Sequence, residues 1–547
     1  MKSILETCIP RPDLLTGAFN PEIFTASLSQ VMTHYRGGAG QVSSLYTDAE
    51  RFFSEATFPT DGLRMLLSEV LARLGGDNGV PAIYRLETAF GGGKTHALIA
   101  LIHLGFFGAY IAEVARDCLD AQVVDPETLH EPGTVQVVGI AGDEIPVHPP
   151  QGETLTPYTL WGEIALQIGG EALYRQVETD ANSRAAPGKA FLERVFADRK
   201  VLLLLDELAQ YAARLAAAHA QGADQLAAFL MALAGYARTH SNMVVVVTLA
   251  SQTDAFATQT ETLAGLLSTI RGEAVTQEEA AAMAQTAQAG VLSVVSRDAT
   301  GVVPVQANEI SRVLTRRLFL SVDRTAGAET VDAYWNLYRK TADLLPDRAS
   351  REDYRATMQD LYPFHPTFVE FLNQKMATLA NFQGTRGVLR VLALAVRSLW
   401  EKGQAVPMIQ TCHLNLRDAR IVNELIGRTG GGELLPILNT DIGGVDTGTL
   451  TGGTSRAGLA DRRHPHPEGH PFHEYAWKTV FLHSLVGRHE GLGTPLFGIN
   501  LRDALLEISF PGLAPSQVEA ALKTIEDSDH GAFYLRYSKT FGRYYAS

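Results

Sequence analysis

Cysteine is scarce: Cys8, Cys118 and Cys412 are the only three in the chain, far apart and without metal-type spacing. That excludes a disulfide scaffold and a cysteine metal site, and points to a reducing, cytoplasmic compartment. Long apolar runs are missing too. None approaches the roughly 18–20 residues needed to cross a bilayer, so no membrane association is expected. The N-terminal MKSILETCIPRPDLL lacks the apolar centre of a signal peptide. Positive charge is in deficit, with 46 lysines and arginines against 60 aspartates and glutamates and a formal net charge of −14. A surface of that sign repels nucleic acid unless a local basic patch intervenes. What remains is an ordinary globular composition, 46% hydrophobic over 547 residues, long enough for roughly two to four domains.

Texture divides the chain. Residues 1–75 read as a helical region, in which Thr60-Asp61 caps an amphipathic run continuing to Arg73. Gly75-Gly76-Asp77-Asn78-Gly79 breaks it. Over 76–255 continuous apolar runs at 81–87, 135–140, 201–205 and 243–249 alternate with helix-length segments. Runs without alternation suit strands buried on both faces of a parallel sheet, so this part is expected to be an α/β core with helices on both faces. Residues 256–402 read as a helical lid and 403–472 as a connector. Its Gly-, Thr- and His-rich stretch from about 437, ending in HPHPEGHPFH, reads as a flexible loop. The last segment, 473–547, reads as helices followed by a hairpin, which resembles a winged helix. No internal repeat is present.

The chemistry centres on TAFGGGKTH, residues 88–96, between a strand and a helix. Consecutive glycines let backbone N–H groups wrap an anion without Cβ clashes, and the helix start adds its positive dipole end. Thr88, Phe90, Gly91, Gly92, Gly93, Lys94, Thr95 and His96 are therefore the candidate nucleotide-binding residues. Lys94 would reach the β- and γ-phosphates of ATP, and the Thr95 hydroxyl would ligate Mg²⁺. The loop departs from G-x-x-x-x-G-K-[ST] at its first position, where Thr88 replaces glycine. The alternative for the whole stretch is a glycine turn before a helix with an incidental Lys-Thr.

Val201-Leu202-Leu203-Leu204-Leu205-Asp206-Glu207 supplies the second half. Two carboxylates follow an apolar strand at the edge where open α/β sheets bind ligands. Asp206 would hold Mg²⁺ through water, and Glu207 would polarise the attacking water as general base. Gly142-Asp143-Glu144 is a rival pair behind a weaker strand. Thr248 and Ser251, after the fourth strand, are candidate polar sensors, or else strand-capping hydroxyls. Arg386, Arg390 and Arg397 share a helical face, and Arg386 is the candidate γ-phosphate sensor; the alternative is a salt-bridged face. Arg297, Arg316 and Arg317 are looser candidates for an arginine finger across a homo-oligomer interface. His464, His466, His470 and His473 read as loop residues rather than metal ligands.

At these residues the chain resembles the domain-of-unknown-function-499 family of AAA+-like predicted ATPases. The resemblance rests on YTDAERFFSEATFPTDGLRMLL, FGGGKTHALIALIHL, LLLLDELAQY, EISRVLTRRLF, YPFHPTFVEFL, NFQGTRGVLRVLALAVRSLW and GAFYLRYSKTFGRYY. It implies a prokaryotic protein of an anti-phage or restriction-modification-like locus, with a DNA methyltransferase, helicase or nuclease as partner. Family members are often longer, which implies a truncated C-terminus here. The expected function is an ATP-hydrolysing switch or motor, with DNA contact through the C-terminal Arg536, Lys539 and Arg543. The alternatives are a nucleotide-dependent scaffold with little hydrolysis and, for the hairpin, packing on its own domain; a kinase would need an acceptor site that the sequence does not offer.

Overall fold

The computed structural model describes residues 1–547 except 17–26, 39–41, 88–92, 150–154, 220, 249–254, 307–308, 380–381, 383, 428–431, 449–452 and 528. The chain forms two compact units, Thr25–Ile310, and Met1–Phe24 together with Ser311–Ser547.

The first unit is built on a five-stranded sheet of β1 (Ile83–Leu86), β2 (Val135–Ala141), β3 (Lys200–Asp206), β4 (Met243–Thr248) and β5 (Thr300–Val302). The strands are parallel throughout, in the order β2-β3-β4-β1-β5. Four of them coincide with the apolar runs of the sequence; β5 has no such run. Side chains of a strand alternate between faces, and here both faces are covered. Leu202 and Leu204 of β3 point into one core with α1 (Leu28–Tyr35), α2 (Asp61–Leu74) and α3 (Lys94–Phe107). Val201, Leu203 and Leu205 point into the opposite core. That core is shared with α4 (Leu160–Gln176), α5 (Leu208–Ala218), α6 (Gly222–Thr239), α7 (Ala255–Arg271) and α8 (Gln277–Asp298). All five residues Val201–Leu205 are wholly inaccessible. A strand so placed can afford no polar side chain, which is why this one reads as an unbroken apolar run.

Helix starts follow from caps. The Thr60 hydroxyl accepts from Leu63 N at 3.3 Å, as its sequence position predicts. α3 is apolar on every side because it is buried on every side beyond its first turn. The textural boundaries at 75/76 and 255/256 do not separate bodies. α1 and α2 lie in the sheet's own core, and the sheet is completed by a strand at 300–302. Residues 25–75 and 256–310 thus belong to the same unit as the sheet, because apolar faces of their helices cover it, whereas 1–24 and 311–402 fall in the other unit.

In the second unit, Cys8–Pro10 pairs antiparallel with Phe319–Val322. α9 (Gly384–Glu401) follows, and then α10 (Phe472–Leu482), α11 (Leu501–Ile508) and α12 (Pro515–Lys523). The hairpin Leu535–Ser538/Arg543–Ala546 closes a small sheet, with Arg543–Ala546 also pairing against Ile499–Asn500. The stretch read as a loop contains a helix, Arg456–Arg463, whose first turn is capped by Ser455. His466 and His473 beyond it are buried.

Since Leu204 is central and fully buried, Leu204→Ala is expected to cost about 2–5 kcal/mol in denaturant unfolding. A loss under about 0.5 kcal/mol would contradict the two-sided core.

Candidate functional site

The topology singles out one crevice. β1 and β4 are neighbours, yet the chain leaves β1 through α3 towards β2 at the far edge. It leaves β4 through α7 and α8 towards β5 on the other side of β1. Departures in opposite directions open a gap at the carboxyl ends of adjacent strands, where ligands of such sheets bind.

On the β1 side, Thr88, Phe90, Gly91 and Gly92 lie outside the described residues. Gly93 caps α3 with φ +96°, and a Cβ there would stand 2.7 Å from Val305 Cγ2. Both facts require glycine. Gly93 O accepts from Ala97 N at 2.8 Å, closing the first helical turn. Lys94 and Thr95 occupy that turn, half-buried, where backbone N–H groups are not consumed by the helix. His96 stacks on Phe52 with ring centroids 4.4 Å apart, and its Nε2 lies 3.0 Å from the Thr57 hydroxyl. That ties the head of α3 to the helices before it.

On the β3 side, Asp206 is buried. Its Oδ1 accepts from the Thr248 hydroxyl at the end of β4 and from Glu207 N at 3.1 Å. Glu207 N also reaches Thr248 Oγ1 at 3.3 Å. Glu207 then turns into the left-handed region, φ 53° and ψ 35°, and α5 begins. A non-glycine residue there costs roughly 1–2 kcal/mol, so its neighbours must hold it. Gln210 Nε2 donates to Glu207 Oε2 at 3.1 Å.

These groups feel one another electrostatically. Burial pushes the Asp206 carboxyl above the usual range; the Thr248 hydrogen bond and the Lys94 charge oppose this, and Asp143 adds to it. Burial raises Glu207 first, the Asp206 charge raises it further, and Lys94 and Gln210 pull it back. Lys94, Asp206, Glu207 and Thr248 therefore form one cluster, with Asp143 as a fifth member. The supposed rival pair splits. Asp143 joins the cluster because Ala141 is in register with Asp206, whereas Glu144 accepts from the Ser29 hydroxyl at 2.5 Å. Gln210 and Arg214 (whose guanidinium grips the turn after β2) are the participants that sequence alone did not single out, and Asp143 was named only as half of the rival pair.

Among the described residues, no group of three or more His, Cys, Asp or Glu is set to hold a metal. Magnesium keeps several waters and takes only one or two protein oxygens. A buried carboxylate with a raised pKa fits such a partner, and Asp206 with the Thr95 hydroxyl are the residues that would hold it.

The remaining candidates lie elsewhere. The Arg386 side chain and Ser251 are outside the described residues. Arg390 is buried against Glu424, 3.0 Å away, and Arg397 pairs with Glu401 and donates to Leu14 O. That is the salt-bridged alternative for this face. Arg297 is exposed at the end of α8, Arg316 is half-buried, and Arg317 is buried. His473 bonds Asp461 at 2.9 Å, and His466 Nε2 lies 2.9 Å from Gln517 Nε2. In the hairpin, Arg536 donates to Leu535 O and Arg543 to Phe497 O, which leaves Lys539 and Phe541 exposed at the turn.

Two family models match the chain, the DUF499 N-terminal domain over residues 24–270 and the DUF499 second domain over 305–433. No curated protein and no solved structure matches it.

The raised Asp206 pKa carries a signed consequence. The folded, nucleotide-free chain keeps that proton to higher pH than the unfolded chain does. The resulting penalty is absent below the ordinary carboxylate range, about pH 4, and grows as pH rises through the folded value. Asp206→Asn is expected to be more stable than wild type at pH 7 by denaturant midpoint, with the gap narrowing toward about pH 4. A variant less stable at pH 7, or a gap that widens in acid, contradicts this.

Proposed function

The chain belongs to the DUF499 family, and we propose that it is a P-loop, AAA+-like ATPase whose nucleotide phosphates sit between Lys94 and the acidic end of β3. The observation carrying this reading is that β1, which leads to Lys94, and β3, which ends in Asp206, flank β4, whose terminal Thr248 hydroxyl bonds Asp206. A lysine at the head of a helix after a triple glycine, across one strand from a buried and a half-buried carboxylate, is an arrangement for holding phosphate and metal together.

In this reading Lys94 binds the β- and γ-phosphate oxygens, and Thr95 and Asp206 would hold Mg²⁺. The metal would draw charge from the transferring phosphoryl group. Glu207 accepts a proton from water as the water oxygen bonds to the γ-phosphorus. The bond from that phosphorus to the β,γ-bridging oxygen breaks, and the electron pair leaves with ADP. A carboxylate whose pKa is raised by burial is a stronger base than one in water, which suits Glu207 to the role. The Thr248 hydroxyl, on the strand between the two halves, keeps Asp206 oriented.

The order of α10, a short strand, α11, α12 and a hairpin, with first and last strands paired, supports a winged-helix reading of the C-terminus. Two of its three hairpin cations bond the chain's own carbonyls, which favours protein partners over DNA. The family resemblance supports a place in a cytoplasmic prokaryotic defence system beside a DNA methyltransferase, helicase or nuclease. Thr88 in place of the leading glycine favours a second reading, a nucleotide-dependent scaffold with little turnover.

Phosphate release separates the two. Glu207→Gln is expected to slow it by about 100-fold or more while ATP still binds. Equal, negligible rates in wild type and variant would leave only the scaffold.

A further inference from the structure

Among the described residues, Glu207 is one of two non-glycine residues with positive φ, the other being Ala197. What surrounds its peptide is the turn after β2. Gly142 N donates to Asp206 O at 2.8 Å, one step beyond the last pair of the β2–β3 ladder. A Cβ on Gly142 would come within 2.7 Å of Glu207 O and 3.0 Å of Tyr211 Cβ. The turn is therefore seated directly on the backbone that throws Glu207 out of the sheet.

Three carbonyls of the turn are gathered by one side chain. Arg214 stands two helical turns beyond Glu207 on α5, on the same side as Tyr211. Its Nη1 donates to the carbonyls of Gly142 and Asp143 at 3.1 and 2.6 Å, and its Nη2 to that of Ile145 at 2.8 Å. Gathering three carbonyls from one short turn suits the planar, multi-donor guanidinium; an ammonium is a single point on a flexible stem. The Asp143 carboxylate also acts on Arg214 electrostatically, so the clamp and the acidic cluster share a member.

Resting on the hydrolytic reading above, we infer that Arg214 is a positioning residue for the hydrolytic step. It pins turn 142–145 against the head of α5, and so fixes the Glu207 backbone and the Asp143 carboxylate relative to Asp206. It acts through Glu207 and not on the nucleotide. Its loss changes the rate of the chemical step and leaves nucleotide affinity alone, because the three carbonyls that it holds all lie in turn 142–145 and none in the head of α3.

The test is steady-state phosphate release, together with the stoichiometry of bound ATP per chain, for wild type, Arg214→Ala and Arg214→Lys. Misplacement of a catalytic group by about 1 Å costs on the order of 100-fold. Arg214→Ala is thus expected to lose about 30-fold or more in kcat, with KM for ATP within about twofold and one nucleotide bound per chain. Arg214→Lys is expected to lose about three- to tenfold, since lysine cannot span all three carbonyls. Wild-type kcat in either variant overturns the role, as does a rise in KM at constant kcat. If the alanine variant does not fold, the lysine variant decides alone. Bound nucleotide without turnover in the wild type sinks the hydrolytic reading and this role together. Wild-type turnover with undiminished variants sinks only the role of Arg214.

Discussion

Two adjacent carboxylates at the end of a buried strand are costly unless something answers their charge. Asp206 and Glu207 impose that constraint. The Thr248 hydroxyl and the Glu207 amide bond Asp206, and the Lys94 charge acts on both carboxylates. Burial still wins, and both pKa values stay raised. The site is electrostatically incomplete by itself, a condition that the proposed uptake of a cation would relieve. The sheet order places it: with β4 between β1 and β3, Thr248 stands between the two halves of the site and can bond one of them.

Glycines and one arginine set the fine geometry around this cluster. Gly93 allows the end of the glycine loop to turn left-handed beside Val305, and Gly142 lets the neighbouring turn rest on Glu207. Arg214 fastens that turn through three carbonyls. The strained conformation of Glu207 is therefore over-determined by packing from β2, which is how such a conformation persists.

Much of this was legible in the sequence. The run Val201–Leu205 announces a strand covered on both faces, and the carboxylates after it mark a sheet edge. The Thr60 cap and the α3 helix were readable for the same local reasons. β5 was not, because an edge strand of three residues, Thr300-Gly301-Val302, with its first two exposed, leaves no apolar signature. Asp143 was visible only as half of a rival pair, since it enters the cluster through the β2–β3 register; Arg214 was hidden, because it acts through backbone carbonyls. Composition misread 437–472, since a Gly- and His-rich stretch can still supply a capped helix and buried histidines.

The most direct measurement is an experimental structure of the Glu207→Gln chain with Mg²⁺ and ATP. The account predicts γ-phosphate oxygens about 3 Å from Lys94 Nζ, Mg²⁺ touching the Thr95 hydroxyl with Asp206 behind one of its waters, and residue 207 facing the phosphorus across a water. Nucleotide bound away from the β1–β4 crevice, or phosphates there with Asp206 turned away from the metal, would contradict it.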